Sequence, residues 1–172
     1  MGKIDLSYEL DHRYHSVAPD QPGRVYLTGT QALVRMVLAQ AERDRAAGFD
    51  TAGFASGYRG SPLSAVDQEM WRAKKQLADA RVRFQPAINE DLAATAVLGT
   101  QKVEADGDRE VQGVFALWYG KGPGVDRSGD VLKHGNAYGS SPHGGVLVVA
   151  GDDHGCVSSS QGLRMRSRFG SA

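Results

Sequence analysis

GGVLVVAGDD, residues 144–153, places six apolar or small residues, Gly145 to Ala150, directly before a polar glycine turn. Three of them are valines, which suit strand geometry. A short unbroken apolar run between turn signals reads as a strand buried on both faces, the kind found inside parallel sheets. Residues upstream repeat the theme. Val111 to Trp118 reads as a second apolar strand, ending in the glycine-rich loop Gly120-Lys121-Gly122-Pro123-Gly124, with a helix from about Val125 to Gly135 between the two strands.

Val82 to Ile88 reads as a strand leading into a helix that starts at Asn89–Glu90 and runs to about Glu104. Thr51 to Ala55 is another strand, followed by the loop Ser56–Pro62 and a helix from about Leu63 to Ala80 with Val66, Met70, Ala73 and Leu77 on one side. Arg24 to Leu27 is a short strand that turns through Thr28-Gly29-Thr30 into an amphipathic helix. Leu33, Met36, Val37, Ala41 and Ala47 mark the inner face of that helix, and Gly48 is a C-terminal stop. Residues 1–24 form a polar lead-in. Strands alternating with helices predict an α/β domain over residues 25–160, with a mostly parallel sheet and helices on both faces.

The bulk composition excludes several functions. Lys+Arg and Asp+Glu both number 20, so no global field draws in nucleic acid or an anionic membrane. The single cysteine, Cys156, rules out a disulfide framework and any cluster or Cys-rich zinc site made by these residues alone. The N-terminal MGKIDLSYELDHRYH lacks the apolar core of a secretory signal, and a cytoplasmic location is expected.

In parallel sheets ligands bind beyond the carboxyl ends of the strands, which singles out residues 56–62, 89–90, 119–124 and 151–160. Neither glycine loop fits a dinucleotide fingerprint, and Gly120–Gly124 lacks the Gly-Lys-Ser/Thr closure of a P-loop. Asp152-Asp153-His154, with His134 and His143, matches no standard metal spacing, so no metal site is expected. Ser158-Ser159-Ser160 has no nucleophile elbow around it.

Glu90 stands out. In QPAINEDLAATAVLG (85–99) it opens a helix that is otherwise almost wholly small or apolar, and at helical spacing it shares a face with Ala93, Ala94 and Val97. An acid in a first turn complements the helix dipole. A carboxylate on a buried face is also what a proton-handling site requires.

Five stretches in order resemble the 2-oxoacid:ferredoxin oxidoreductases, a family of thiamine-diphosphate enzymes, and most of all their single-chain indolepyruvate type. They are VYLTGTQALVRM (25–36), TAGFASGYRGSPLSAVDQEM (51–70), INEDLAATAVLGTQ (88–101), ALWYGKGPGVDRSGDVLKHGNAYG (116–139) and GGVLVVAGDDHGCVSSS (144–160). The resemblance implies the pyrimidine-binding domain of the thiamine-diphosphate fold. It places Glu90 as the catalytic glutamate that hydrogen-bonds the pyrimidine N1′ and favours the imino tautomer. It places Ser61 near substrate and thiazolium, has Gly57 and Tyr58 shape the pocket, and brings Gly122 and Gly124 up to the pyrimidine.

For the intact enzyme the resemblance implies oxidative decarboxylation of an arylpyruvate to an acyl-CoA, with ferredoxin as electron acceptor and a homo-oligomeric assembly. Mg²⁺, the diphosphate-binding domain and the iron–sulfur clusters would be supplied from elsewhere, because no Gly-Asp-Gly…Asn segment or cysteine set is present. Residues 161–172, QGLRMRSRFGSA, break the resemblance and are expected to be a truncated or frame-shifted end. This chain by itself is expected to be catalytically silent. The alternatives are a non-catalytic module that partners a separate diphosphate-binding subunit, and a nucleotide-binding α/β domain.

Overall fold

The computed structural model describes residues 26–60 and 63–151. Four strands, β1 (Thr51–Gly57), β2 (Val82–Phe84), β3 (Gly113–Gly120) and β4 (Gly145–Ala150), form one all-parallel sheet in the order β2-β1-β3-β4. Six helices accompany them: α1 (Gly29–Ala46), α2 (Ser64–Arg72), α3 (Lys74–Asp79), α4 (Glu90–Thr100), α5 (Gly122–Arg127) and α6 (Gly129–Tyr138). The α/β class with helices on both faces is as expected.

The strand order has a direct consequence. The chain steps from β1 outward to β2, then returns across β1 to β3 and continues to β4. Right-handed crossovers running in opposite directions place their helices on opposite faces. Accordingly α1, α2 and α3 share one core with Ala55, Val82, Leu117 and Tyr119, and α4 and α5 share the other with Ala116, Trp118 and Val125. The direction of winding reverses between β1 and β3, the point at which parallel sheets open a crevice above the carboxyl ends of their strands.

Two glycines in β1 allow the first core to close. A Cβ on Gly53 would strike the Phe115 ring, and one on Gly57 would strike Tyr119, so the aromatic rings of β3 lie over bare backbone. Gln101, buried at the end of α4, ties the other side together. Its Nε2 donates to the Val114 carbonyl at 3.0 Å, and its Oε1 accepts from the Gly145 N–H at 2.9 Å.

Several local expectations are revised. Tyr26 and Leu27 are not in a strand, while Arg24 and Val25 lie outside the described residues. A capping box on Thr28 starts α1 immediately after them. Met36 and Ala47 are exposed, whereas Val34 and Leu38 are buried, so the inner face of α1 is rotated from the expected one. The helix expected over 63–80 breaks at Ala73 into α2 and α3, with no glycine or proline at the break.

β2 is shorter than Val82–Ile88, although Gln85 and Ala87 still donate to the Ala55 and Gly57 carbonyls on either side of Pro86. α4 stops at Thr100, and a 3₁₀ turn at Val103–Ala105 follows. β3 is shifted by two residues, which brings Tyr119 and Gly120 into the sheet. The helix expected from Val125 instead begins at Gly122, where Pro123 pre-sets the first turn, and it is divided at Ser128.

The largest correction concerns β4. Val146, Leu147 and Val148 are 39%, 45% and 41% exposed. β4 is the edge strand, paired only with β3 among the described residues, so its apolar composition is not matched by burial.

Candidate functional site at the sheet switch point

α4 packs across β1 and β3, the two strands between which the winding reverses. It follows β2, so its N-terminus lies at the carboxyl end of the sheet, and Glu90 is its first residue. Asn89 fixes that start. Its extended backbone and its Oδ1, which accepts from Leu92 N–H at 2.8 Å, form an N-cap of a kind worth about 1 kcal/mol. Trp118, fully buried in β3, donates its indole N–H to the Glu90 carbonyl at 3.0 Å. The backbone of Glu90 is thus held from both sides.

The Glu90 side chain is directed inward. The residue is 8% exposed, and Ala93, Ala94 and Val97 on its face are buried as expected. Leu92 and Thr95 are exposed, so α4 is not covered all round. Among the described residues the Glu90 carboxylate has no hydrogen-bond or ion-pair partner. A mostly buried acid normally has one.

The room that the Glu90 side chain occupies is made by glycines. A Cβ on Gly124 would meet Glu90 Cγ, Cδ and Oε1, and one on Gly120 would lie 3.1 Å from Glu90 Cγ and against the Trp118 ring. Gly122 and Gly124 are buried in the first turn of α5, and Gly120 ends β3. The glycine run over 120–124 is therefore the wall of the Glu90 site, built partly as helix and not as an open loop. Gly120, the first glycine of the expected loop, belongs to it with Gly122 and Gly124.

The remaining expected residues are arranged differently. Gly57 ends β1 and is buried, but the room it provides is filled by Tyr119 on the α2 face. Tyr58 is partly exposed on the lip that follows β1. Ser61 lies outside the described residues, as do Asp152, Asp153, His154 and Ser158–Ser160. Among the described residues no group of three His, Cys, Asp or Glu could hold a metal ion.

Sequence reasoning missed a second polar group at this end of the sheet. Asp67 of α2 is buried, and its Oδ1 accepts a hydrogen bond from the Tyr119 hydroxyl. Burial, followed by the hydrogen bond to Asp67 and the charge on Asp67, raises the Tyr119 pKa well above the ordinary tyrosine range. Asp67 falls next to Val66 in a helical pattern and resembles any first-turn acid, so no local signal marks it.

No protein-family model, curated protein or solved structure matches the chain. Among the described residues no helix is long and apolar enough to cross a membrane.

Proposed function

We propose that these residues form the pyrimidine-binding part of a thiamine-diphosphate-dependent 2-oxoacid ferredoxin oxidoreductase, most like the indolepyruvate type. One observation carries the reading: a mostly buried carboxylate with no partner among the described residues stands at the switch point of a parallel sheet, packed against the bare backbone of two glycines. A flat nitrogen heterocycle suits such an acid: its ring nitrogen would give the carboxylate the partner it lacks among the described residues.

When bound, thiamine diphosphate supplies the carbon nucleophile and the electron sink for decarboxylating a 2-oxoacid. The residues described here do the positioning. Glu90 holds a proton at the pyrimidine N1′, in surroundings dry enough to strengthen that hydrogen bond. Positioned proton transfer of this kind is typically worth about 10²–10⁴-fold in rate. Asn89 and Trp118 keep the first turn of α4 in place, so Glu90 does not have to be ordered at the moment of reaction. Exposed Ile88 and Leu92, which flank Glu90 in sequence, suit a face that a diphosphate-binding domain covers. Coenzyme A, ferredoxin, Mg²⁺ and the iron–sulfur clusters belong to the intact enzyme in this reading, and its compartment is the cytoplasm.

The test uses Trp118 as a reporter. Trp71→Phe leaves Trp118 as the sole indole of the chain. Titrating thiamine diphosphate into that variant should change its fluorescence saturably, and Glu90→Gln should abolish the change without altering the circular dichroism. An unresponsive Trp118, or an equal response in Glu90→Gln, would sink the reading. A saturable response to ATP or NAD alone would point to a nucleotide-binding domain instead.

A further inference from the structure

Arg59, Asp67 and Tyr119 form a polar line from the interior of the sheet to the lip after β1, and the Glu90 chemistry uses none of them. The Asp67 side chain is 3% exposed. Its Oδ1 is taken by the Tyr119 hydroxyl, and its Oδ2 accepts no hydrogen bond among the described residues. Facing Oδ2 at 3.5 Å is Nε of Arg59, two residues beyond the end of β1.

The Arg59 side chain is 66% exposed. Only its Nε edge is turned to Asp67; among the described residues Nη1 and Nη2 have no partner. A guanidinium presents its donors as a rigid planar fork that matches a carboxylate with two parallel hydrogen bonds. Pinning one edge of the fork lowers the ordering cost that a long side chain normally incurs when it binds. Asp67 also offsets the positive charge. The pair therefore offers no strong field for anions in general, and recognition rests on donor geometry. A buried acid locked by a tyrosine is a suitable base for this arrangement, because Asp67 cannot swing away without breaking the Tyr119 bond.

We propose that Arg59 recognises a carboxylate at the β1 lip of the crevice, with Asp67 and Tyr119 as positioning residues, and that the ligand is the carboxylate of a 2-oxoacid. The choice of a 2-oxoacid rests on the proposed reaction; the carboxylate site rests on the Arg59–Asp67–Tyr119 geometry alone.

Arginine Nε–H signals are resolved separately in ¹H–¹⁵N spectra, which allows a direct test on the 172-residue chain. Phenylpyruvate should shift the Arg59 Nε–H signal saturably, whereas phenylacetone, which keeps the ring and ketone but lacks the carboxylate, should not. Arg59→Gln should weaken phenylpyruvate binding at least about tenfold, the size expected for losing charge-assisted hydrogen bonds. Asp67→Asn keeps an acceptor for Tyr119 but removes the charge facing Nε. It should weaken binding by less and broaden the Arg59 signal, a change in order that a purely structural role for Asp67 would not produce. Equal shifts with phenylacetone, or unchanged affinity in Arg59→Gln, would overturn the proposal. The same sample titrated with thiamine diphosphate separates the two readings. Phenylpyruvate capture with an unresponsive Glu90 amide would bring down the cofactor reading and leave the carboxylate site standing; the reverse would overturn the carboxylate site alone.

Discussion

Gly124 lies so close to Glu90 that a Cβ at position 124 would sit 2.6 Å from Glu90 Oε1. The two residues are on different helices, α5 and α4, and meet only because both helices start at the carboxyl end of the sheet. Gly124→Ala should therefore displace the Glu90 carboxylate and cost about 1–3 kcal/mol, the range for an overpacked interior. Gly99→Ala is the control. Position 99 is helical and exposed, with nothing within 4 Å of its Cβ, so the substitution should stabilise by about 0.5–1 kcal/mol. Urea unfolding of both variants checks the pair, and equal effects would mean the contact with Glu90 is not tight.

Glu90 itself is expected to reduce stability. Its charge interacts favourably with the α4 dipole, worth about 0.3–1 kcal/mol, but Asp91 remains in the same turn to supply that. Against this stands a mostly buried carboxylate with no partner among the described residues. Replacing it by an apolar group of similar shape should win. Glu90→Met is expected to raise the melting temperature, by about 0.5–2 kcal/mol in stability, while losing the thiamine diphosphate response. A lower melting temperature would show that the acid is satisfied in the folded chain.

Tyr119 links stability to alkaline pH. Its pKa in the folded state is raised above the ordinary value near 10, so the folded state keeps a proton that the unfolded chain gives up. The stability from this group is fully present below about pH 10 and is lost as pH rises beyond it, at up to about 1.4 kcal/mol per pH unit. Tyr119→Phe should remove that component of the slope. At neutral pH it should cost about 1–3 kcal/mol, because the buried Asp67 loses its hydrogen-bond donor. Denaturation of the two proteins at pH 7 and between pH 10 and 11 measures both effects; parallel curves would exclude the linkage.

β4 carries no charge, proline or bulge on an edge that is open among the described residues, and edges of this kind pair with other chains. Leu147→Lys replaces a half-exposed leucine. It should lower self-association in light scattering with a stability change within about 0.5 kcal/mol, as for other surface positions. A loss of several kcal/mol would mean that Leu147 is covered in the folded chain.

Much of the site was legible one element at a time. Asn89 followed by Glu90 and a small, apolar run specified a capped helix with an acid on its inner face, and the structure has that helix with that burial. The glycines of 120–124 were legible as places where backbone passes close to something, but not as the wall beside Glu90. Gly57 was legible as part of a glycine-rich loop, yet it ends β1, and the ring it accommodates, Tyr119, lies 62 residues away by the numbering. Asp67 was not legible at all, since its partner is 52 residues distant and its own helix pattern is unremarkable.

The sequence by itself determined the period of most segments: the alternation of strands and helices from Thr51 onward, the cap at Asn89, and the parallel character of the sheet. These depend on backbone sterics, hydrogen bonding and side chains within a few residues of each other. Only the tertiary structure decided which strand lies beside which, and so that the winding reverses between β1 and β3, that Gly124 meets Glu90, that Tyr119 locks Asp67, and that the most apolar run forms an exposed edge. Each of these is a long-range pairing set by crossover handedness and by which faces find a cover, and an apolar strand has the same local sequence whether its neighbour is present or not.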